Sequence, residues 1–200
     1  MGSHARKRVQ RRSERTRDLR CKCASWIMAL AADIGVGTGF IAQGLIERGL
    51  RVIAIDHSMK MLHVMKQKMP NAPALAFCRA DAERLPLCGG AVDYVFANMC
   101  LHHLAHPWQA IDEMARILNV GGRLVISDLK AHGFTFLTEE RRDRWLGFEH
   151  AELNRWLLEA GLANVEVDDT GEHVSVQSSS RDEHAKIGIV VASGDKPNLA

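Results

Sequence analysis

The length and composition of the chain indicate one globular domain. It has 200 residues, 46% hydrophobic and 25% charged, which suits one α/β core and excludes wholesale disorder or a small disulfide scaffold. Its apolar runs are shorter than the roughly 20 residues that cross a bilayer, and charge stands where a signal peptide needs an apolar stretch. We therefore expect a cytoplasmic protein without a membrane span. The odd set of five cysteines fits a reducing compartment.

Charge is unevenly distributed along the chain. Residues 1–22 contain nine Lys and Arg against two acidic residues, a net charge of +7, so the remainder sums to −5 within the total of +2. No aromatic residue is interleaved with these charges, as base stacking would require. We expect a solvated helix or frayed terminus over this basic arm rather than a nucleic-acid partner. An acidic membrane surface and a transit segment are the alternatives.

Strand-like and helix-like segments alternate along the chain. Glycines and prolines separate them, and Ser58 is placed to cap the N-terminus of one helix. In chain order we predict strand Ile27–Asp33, helix Phe40–Arg48, strand Arg51–Ile55, a helix from Ser58 to Met69, strands Ala74–Cys78 and Ala91–Ala97, helix Pro107–Leu118 and strand Arg123–Ser127. Such short connections predict right-handed crossovers and a parallel sheet covered on both faces.

The last third departs from that alternation. Helix Phe148–Ala160 is followed by two β-rich runs, Asn164–Asp168 and Lys186–Ala192, which flank a polar loop, Asp169–His184. We therefore predict an α/β, Rossmann-like fold: a doubly wound, mostly parallel seven-stranded sheet with an antiparallel C-terminal strand pair. Segment 131–147 is expected to form a cap over the carboxyl ends of the strands.

Acidic and glycine residues mark the ends of the first two strands, where ligands bind in this class of fold. Asp33 precedes Gly35, Gly37 and Gly39, which let backbone and amide N–H groups approach a ligand closely. Asp56 ends the next strand, where a carboxylate can accept hydrogen bonds from both hydroxyls of a ribose. Together these residues predict a ribose-containing ligand at this edge of the sheet.

Taken in order, the motifs resemble those of the class I S-adenosylmethionine-dependent methyltransferases over roughly residues 30–193. They are most similar to ubiquinone- and menaquinone-biosynthesis enzymes and to methyltransferase domains fused to metal-responsive repressors. The matching segments are Asp33–Gly39, Asp56, Arg79–Pro86, Asp93–Asn98, Leu101–Leu104, Gly121–Leu124, Asp143–Phe148 and Ala160–Leu162. The resemblance implies a methyltransferase domain over residues 25–200, preceded by a basic arm or shortened lid over residues 1–24.

The resemblance also implies how one end of S-adenosylmethionine is held. Gly35, Gly37 and Gly39 would bend the loop around the amino-acid end of this cofactor. Asp33 would organise its ammonium group, and Asp56 would hold the ribose hydroxyls.

The rest of the implied site concerns the adenine and the methyl group. The Asp81 carboxylate and the Ala82 backbone N–H would meet the adenine, and Asn98 would lie near the transferring methyl. The implied partner is a small-molecule methyl acceptor. His102 and His103 follow the fourth strand, and either is a candidate base, since imidazole can remove a proton near neutral pH. Three further polar residues are expected near the same rim: Asp128, His132 and His150.

Other functions stay open at this point. Gly37–Ala42 also fits the G-x-G-x-x-A fingerprint of an NAD(P)-dependent oxidoreductase, although Asp33 has no role there. A shortened lid would suit a non-catalytic methyltransferase-fold binding module. Cys21 and Cys23 could hold a metalloid, but no Cys-x-x-Cys pair is present, and we predict no metal site. The oligomeric state is left open.

Overall fold

The computed structural model describes residues 29–180 and 182–198, which form one α/β domain. In chain order its elements are β1 (Leu30–Ile34), α1 (Phe40–Glu47), β2 (Arg51–Asp56), α2 (Met59–Lys68), β3 (Leu75–Arg79), β4 (Val92–Asn98), a 3₁₀ turn (Leu101–His103), α3 (Pro107–Ile117), β5 (Leu118–Leu129), α4 (Phe136–Glu140), α5 (His150–Glu159), β6 (Ala163–Gln177) and β7 (His184–Asp195). The predicted basic arm, with Cys21 and Cys23, lies outside the described residues. Among the helices that are described, none is long and apolar enough to cross a membrane.

The strands form one seven-stranded sheet in the order β3-β2-β1-β4-β5-β7-β6. The first five strands pair in parallel, whereas β7 runs antiparallel to both β5 and β6. This arrangement confirms the predicted doubly wound sheet and its antiparallel C-terminal pair. The strand order reverses between β1 and β4, so the ligand crevice of this fold lies at the carboxyl ends of those two strands.

Local sequence explains how the elements around that crevice form. β1 is buried from Ala31 to Ile34, because helices cover both faces of a central parallel strand. The Ser58 hydroxyl accepts a hydrogen bond from the Met61 N–H at 3.4 Å and caps α2, as its position predicts. Pro107 occupies the first turn of α3, where its missing N–H costs no helical hydrogen bond.

The β6–β7 hairpin shows that the predicted polar loop Asp169–His184 is wrong. Most of that segment is strand, since β6 continues to Gln177 and β7 begins at the loop's last residue. Val174 and Val176 are half-buried between exposed neighbours, which is the period-two pattern of a sheet with one face in water. A change of register around Gly171, at φ 78°, breaks that pattern and obscures the strand in the sequence.

β5 also starts earlier than predicted. Leu118 pairs with Val92 directly after α3, and an irregularity of register precedes the pairing of Arg123 with Tyr94. Gly121, at φ 78°, lies within this stretch. The glycine pair therefore produces a bulge inside the strand, rather than the predicted turn before it.

The segment predicted as a cap, residues 131–147, follows the carboxyl end of β5. In it, α4 buries Phe136 and Leu137 completely or nearly so, in a cluster that includes Ile187 of β7. The chain then returns towards β4, where the Arg144 N–H donates to the His102 carbonyl at 2.9 Å. This hydrogen bond brings the end of the segment to the carboxyl edge of the sheet.

Candidate functional site

Two cavities lie at the carboxyl edge of the sheet. The first, of about 300 Å³, is lined by the predicted site residues Gly35, Asp56, Asp81 and Ala82. The second, of about 510 Å³, lies between the turn after β4, the cap segment and the β6–β7 hairpin. The side chain of His103 lines both, so the two spaces adjoin at this residue.

Close packing requires glycine at two positions of the loop after β1. Gly35 has φ 66°, and a Cβ there would overlap the Cys100 side chain. Gly39, at φ 85°, begins α1, and a Cβ there would lie 2.9 Å from Met65 Cγ. Both positions combine a left-handed backbone with no room for a side chain. The loop is thereby held against the turn after β4 and against α2.

Asp56 fastens that loop to the end of β2. Its Oδ2 accepts a hydrogen bond from the Gly37 N–H at 2.9 Å, and its Oδ1 accepts from the Ser58 N–H at 2.8 Å. The residue is only 7% exposed and lines the first cavity. Because an ionised carboxylate offers about four acceptor positions, Asp56 can hold the loop and still accept from two hydroxyl groups.

Asp33 lies behind the loop, 2% exposed. Its Oδ2 has no hydrogen-bond partner among the described residues. Burial raises the pKa of Asp33 to about 7; the Ala42 amide lowers it in part, and the nearby charge of Asp56 raises it further. An unpartnered, buried carboxylate oxygen is costly and suits a position that receives a cation.

Hydrogen bonds also fix the loop after β3. Asp81 Oδ1 accepts from the Glu83 N–H at 3.0 Å, which folds a tight turn around Ala82. Glu83 in turn accepts from the His106 N–H at 2.8 Å and from its ring Nδ1 at 3.0 Å. The loop is thus attached to the start of α3, and Asp81 and Ala82 are held at the wall of the first cavity.

The other predicted cofactor residues do not line the first cavity. Gly37 and Gly39 shape the loop, as described above. Asn98 accepts a hydrogen bond from the Ser127 hydroxyl at 2.6 Å, and it lines a third cavity of about 710 Å³ beside Phe40 and Phe96. A position for Asn98 beside the transferring methyl stays a prediction.

The two histidines have different surroundings. His102 is 4% exposed, and its Nδ1 lies 2.6 Å from Asp128 Oδ1. Burial lowers the pKa of His102, but the hydrogen bond and charge of Asp128, with the charge of Asp143, outweigh that effect and raise it overall. His103 is half-exposed, and burial followed by the charge of His102 lowers its pKa. His103 therefore favours the neutral form and reaches both cavities.

Of the three further rim residues, Asp128 contacts His102 directly. His132 accepts from the Phe134 N–H at its Nδ1, 3.2 Å away, whereas its buried Nε2 has no described partner. His150 forms an ion pair with Asp169 at 2.9 Å and lines neither cavity.

Three charged cap residues at the site are not predicted from the sequence. Arg141 and Asp143 line the second cavity, and Arg144 lines the first. Asp143 and Arg144 stand in an irregular segment whose sequence has no helical or strand periodicity. The only signal at this position was the resemblance of Asp143–Phe148 to the methyltransferases.

Residues 32–126 match the family model described as a methyltransferase domain. This part of the chain is therefore similar to methyltransferase domains. A similar protein is the biotin biosynthesis bifunctional protein BioHC of Cellvibrio japonicus, 42% identical over 97 residues, or 48% of this chain and 19% of that protein. A demethylmenaquinone methyltransferase of Renibacterium salmoninarum is 33% identical over 96 residues, or 48% of this chain and 39% of the enzyme. This chain thus spans less than half the length of either relative.

Solved structures of methyltransferases share this fold. Phosphoethanolamine N-methyltransferase 2 of Haemonchus contortus, solved with S-adenosyl-L-methionine, superposes with a TM-score of 0.71 at 18% identity. The superposition covers 85% of this chain and 49% of that enzyme. It confirms the Rossmann-like methyltransferase fold predicted above.

The first cavity offers groups that suit S-adenosylmethionine. Asp56 offers acceptors suited to ribose hydroxyls, and Asp81 with Ala82 offers an acceptor and a backbone N–H suited to an adenine edge. The unpartnered oxygen of Asp33 suits the positively charged amino-acid end.

Proposed function

We propose that the protein transfers a methyl group from S-adenosylmethionine to a small-molecule acceptor in the second cavity. The adjacency of the two cavities at His103 carries this proposal. When bound, S-adenosylmethionine would supply a methyl group on a positively charged sulfur. A nucleophile aligned with the S–C bond takes the methyl group while S-adenosylhomocysteine leaves, so no covalent enzyme intermediate is needed. The demethylmenaquinone methyltransferase supports a small acceptor by its name.

The residues of the first cavity hold the donor in place. Asp56 binds the ribose, and Asp81 and Ala82 bind the adenine. Asp33, which lies behind the loop and does not line the cavity, offers its charge to the ammonium group. Their positions are fixed in advance by the hydrogen bonds of Asp56 to Gly37 and of Asp81 to Glu83. Such preorganisation lowers the entropic cost of aligning two reactants. In this proposal Asn98 borders the methionyl part of the cofactor.

The walls of the second cavity indicate the chemical class of the acceptor. Six of its eleven lining residues are apolar: Met99, Leu129, Leu137, Val174, Val176 and Ile187. The other five are polar: His102, His103, Arg141, Asp143 and Ser175. This lining favours an amphipathic molecule whose polar end accepts the methyl group. With no metal ion bound, the His103 side chain would remove the acceptor's proton. Asp128 would position His102 beside His103.

Filling the second cavity is the test of this proposal. We expect Val176→Trp to abolish transfer of tritiated methyl from S-adenosylmethionine to a panel of phenols, quinols, amines and thiols. S-adenosylhomocysteine binding should stay within about twofold of the wild type. Val120→Trp, the same change at an exposed position of β5, is the matched control and should retain transfer. Equal rates in Val176→Trp and wild type would contradict the proposal.

A further inference from the structure

A cluster of three side chains lies where the cavities adjoin. His102 Nε2 and His103 Nδ1 face the same carboxylate oxygen, Asp143 Oδ1, at 3.9 Å and 3.4 Å. One nitrogen of each histidine and one carboxylate oxygen of Asp143 lie within 4.8 Å of one another. His102 and Asp143 are buried, and His103 is half-exposed, so the cluster is open on one side.

Asp128 fixes the ring of His102 and selects its tautomer. Its Oδ2 accepts from the Cys100 and Leu101 N–H groups, and its Oδ1 accepts from His102 and from the Leu129 N–H, all at 2.6–3.1 Å. Four donors surround this fully buried carboxylate, so His102 carries its hydrogen on Nδ1. In the neutral ring, Nε2 then presents its lone pair towards Asp143. Ligating histidines are commonly oriented by a carboxylate in this way.

The distances in the cluster favour a shared ion over direct hydrogen bonds. Charge-assisted N–H···O bonds are about 2.7–2.9 Å long, shorter than either approach to Asp143. Ligands about 2.0–2.1 Å from a tetrahedral metal ion stand roughly 3.3 Å apart. Small rotations of the half-exposed His103 side chain and of the Asp143 side chain would bring their ligand atoms and His102 Nε2 to that spacing.

We propose that His102, His103 and Asp143 form a binding site for a divalent transition-metal ion. Two imidazoles and one carboxylate suit zinc or ferrous iron better than magnesium or calcium, which prefer oxygen ligands. The negative charges of Asp128 and Asp143 offset part of the ion's charge. Three protein ligands leave coordination positions open, as in catalytic metal sites.

The open positions face the proposed acceptor. His102, His103 and Asp143 all line the second cavity, so an oxygen of a molecule bound there can complete the coordination. This part of the inference rests on the proposed function, whereas ion binding itself does not.

Cobalt(II) is the probe for the test, because its visible absorption reports the ligands around it. The whole chain, freed of metal with a chelator and without S-adenosylmethionine, is titrated with CoCl₂ and followed by absorbance and calorimetry. We expect one ion per chain at this site, with micromolar affinity. Asp143→Asn and His103→Gln should each weaken binding by at least the roughly 10–100-fold that loss of an orienting partner costs.

Matched variants make the result specific. His150→Gln disrupts another histidine–carboxylate pair, with Asp169, and should bind cobalt like the wild type. A far-UV circular dichroism spectrum and a urea unfolding midpoint like those of the wild type show that each variant is folded, and half-exposed His103 supplies a second variant if Asp143→Asn fails to fold. Absence of cobalt binding, or binding that persists in the folded variants, would overturn the proposal.

The same experiment separates this inference from the proposed function. Site-specific cobalt binding without methyl transfer to any acceptor would leave the metal site standing and count against the proposed function. Methyl transfer that continues at full rate in EDTA, with no cobalt binding, would support the free-base role of His103 and refute the metal site.

Discussion

Replacement of Asp56 by alanine is expected to weaken S-adenosylhomocysteine binding by about tenfold or more. The variant loses the carboxylate that faces the first cavity and the acceptor that fixes Gly37 and Ser58. Both losses reduce affinity, because the ribose hydroxyls lose a partner and the glycine loop is no longer held. Calorimetric titration of the variant and the wild type measures the change.

Asp93→Ala is the matched control for this substitution. Asp93 is also a strand carboxylate with two hydrogen bonds, which it accepts from the Leu30 N–H and the Asn119 side chain at 2.9 Å each. It lies near the start of β4, at the opposite edge of the sheet. We expect both variants to lose about 1–3 kcal/mol of unfolding free energy, but only Asp56→Ala to lose affinity. Equal affinity losses would show that the effect of Asp56 is on folding alone.

Replacement of Asp33 by asparagine is expected to stabilise the protein above neutral pH. The folded carboxyl, with a pKa near 7 against the model-compound value of 3.8, holds a proton that the unfolded chain releases. The contribution of Asp33 to the unfolding free energy of the wild-type protein is therefore greatest below pH 4. It falls as pH rises to 7, by about 4 kcal/mol in total. Asparagine carries no such penalty. The variant's advantage in unfolding free energy should grow by about 3 kcal/mol between pH 5 and pH 8.

Urea unfolding at several pH values measures that difference. Glu47→Gln removes the same charge from an exposed position at the end of α1 and should leave the pH profile of stability unchanged. Asp33→Asn should also bind S-adenosylhomocysteine more weakly, because the ammonium loses its carboxylate. Parallel stability profiles for Asp33→Asn and wild type would contradict the account of Asp33.

Much of the fold could be predicted, because its signals are local. The buried run of β1, the Ser58 cap and Pro107 at the start of α3 each depend on a few neighbouring residues. β6 was predicted too short because it lies at the sheet edge. There its outer half alternates Val174 and Val176 with polar residues, and Gly171 interrupts the pattern.

The candidate site also has one part that the sequence predicts and one part that it does not. Gly35, Asp56, Asp81 and Ala82 line one cavity because each follows the carboxyl end of a parallel strand, a position that strand order alone fixes. The approach of Asp143 to His102 depends instead on the path of an irregular cap. That path is set by tertiary contacts, such as the hydrogen bond from Arg144 to the His102 carbonyl, which no local pattern encodes.

Calorimetric titration of the wild-type chain with S-adenosylmethionine, S-adenosylhomocysteine and NADH identifies the ligand of the first cavity. We expect micromolar binding of both sulfur ligands at one site per chain, and no binding of NADH. NADH binding in their place would identify the glycine loop as that of an oxidoreductase. Absence of binding by either sulfur ligand would contradict a methyltransferase cofactor site in this domain.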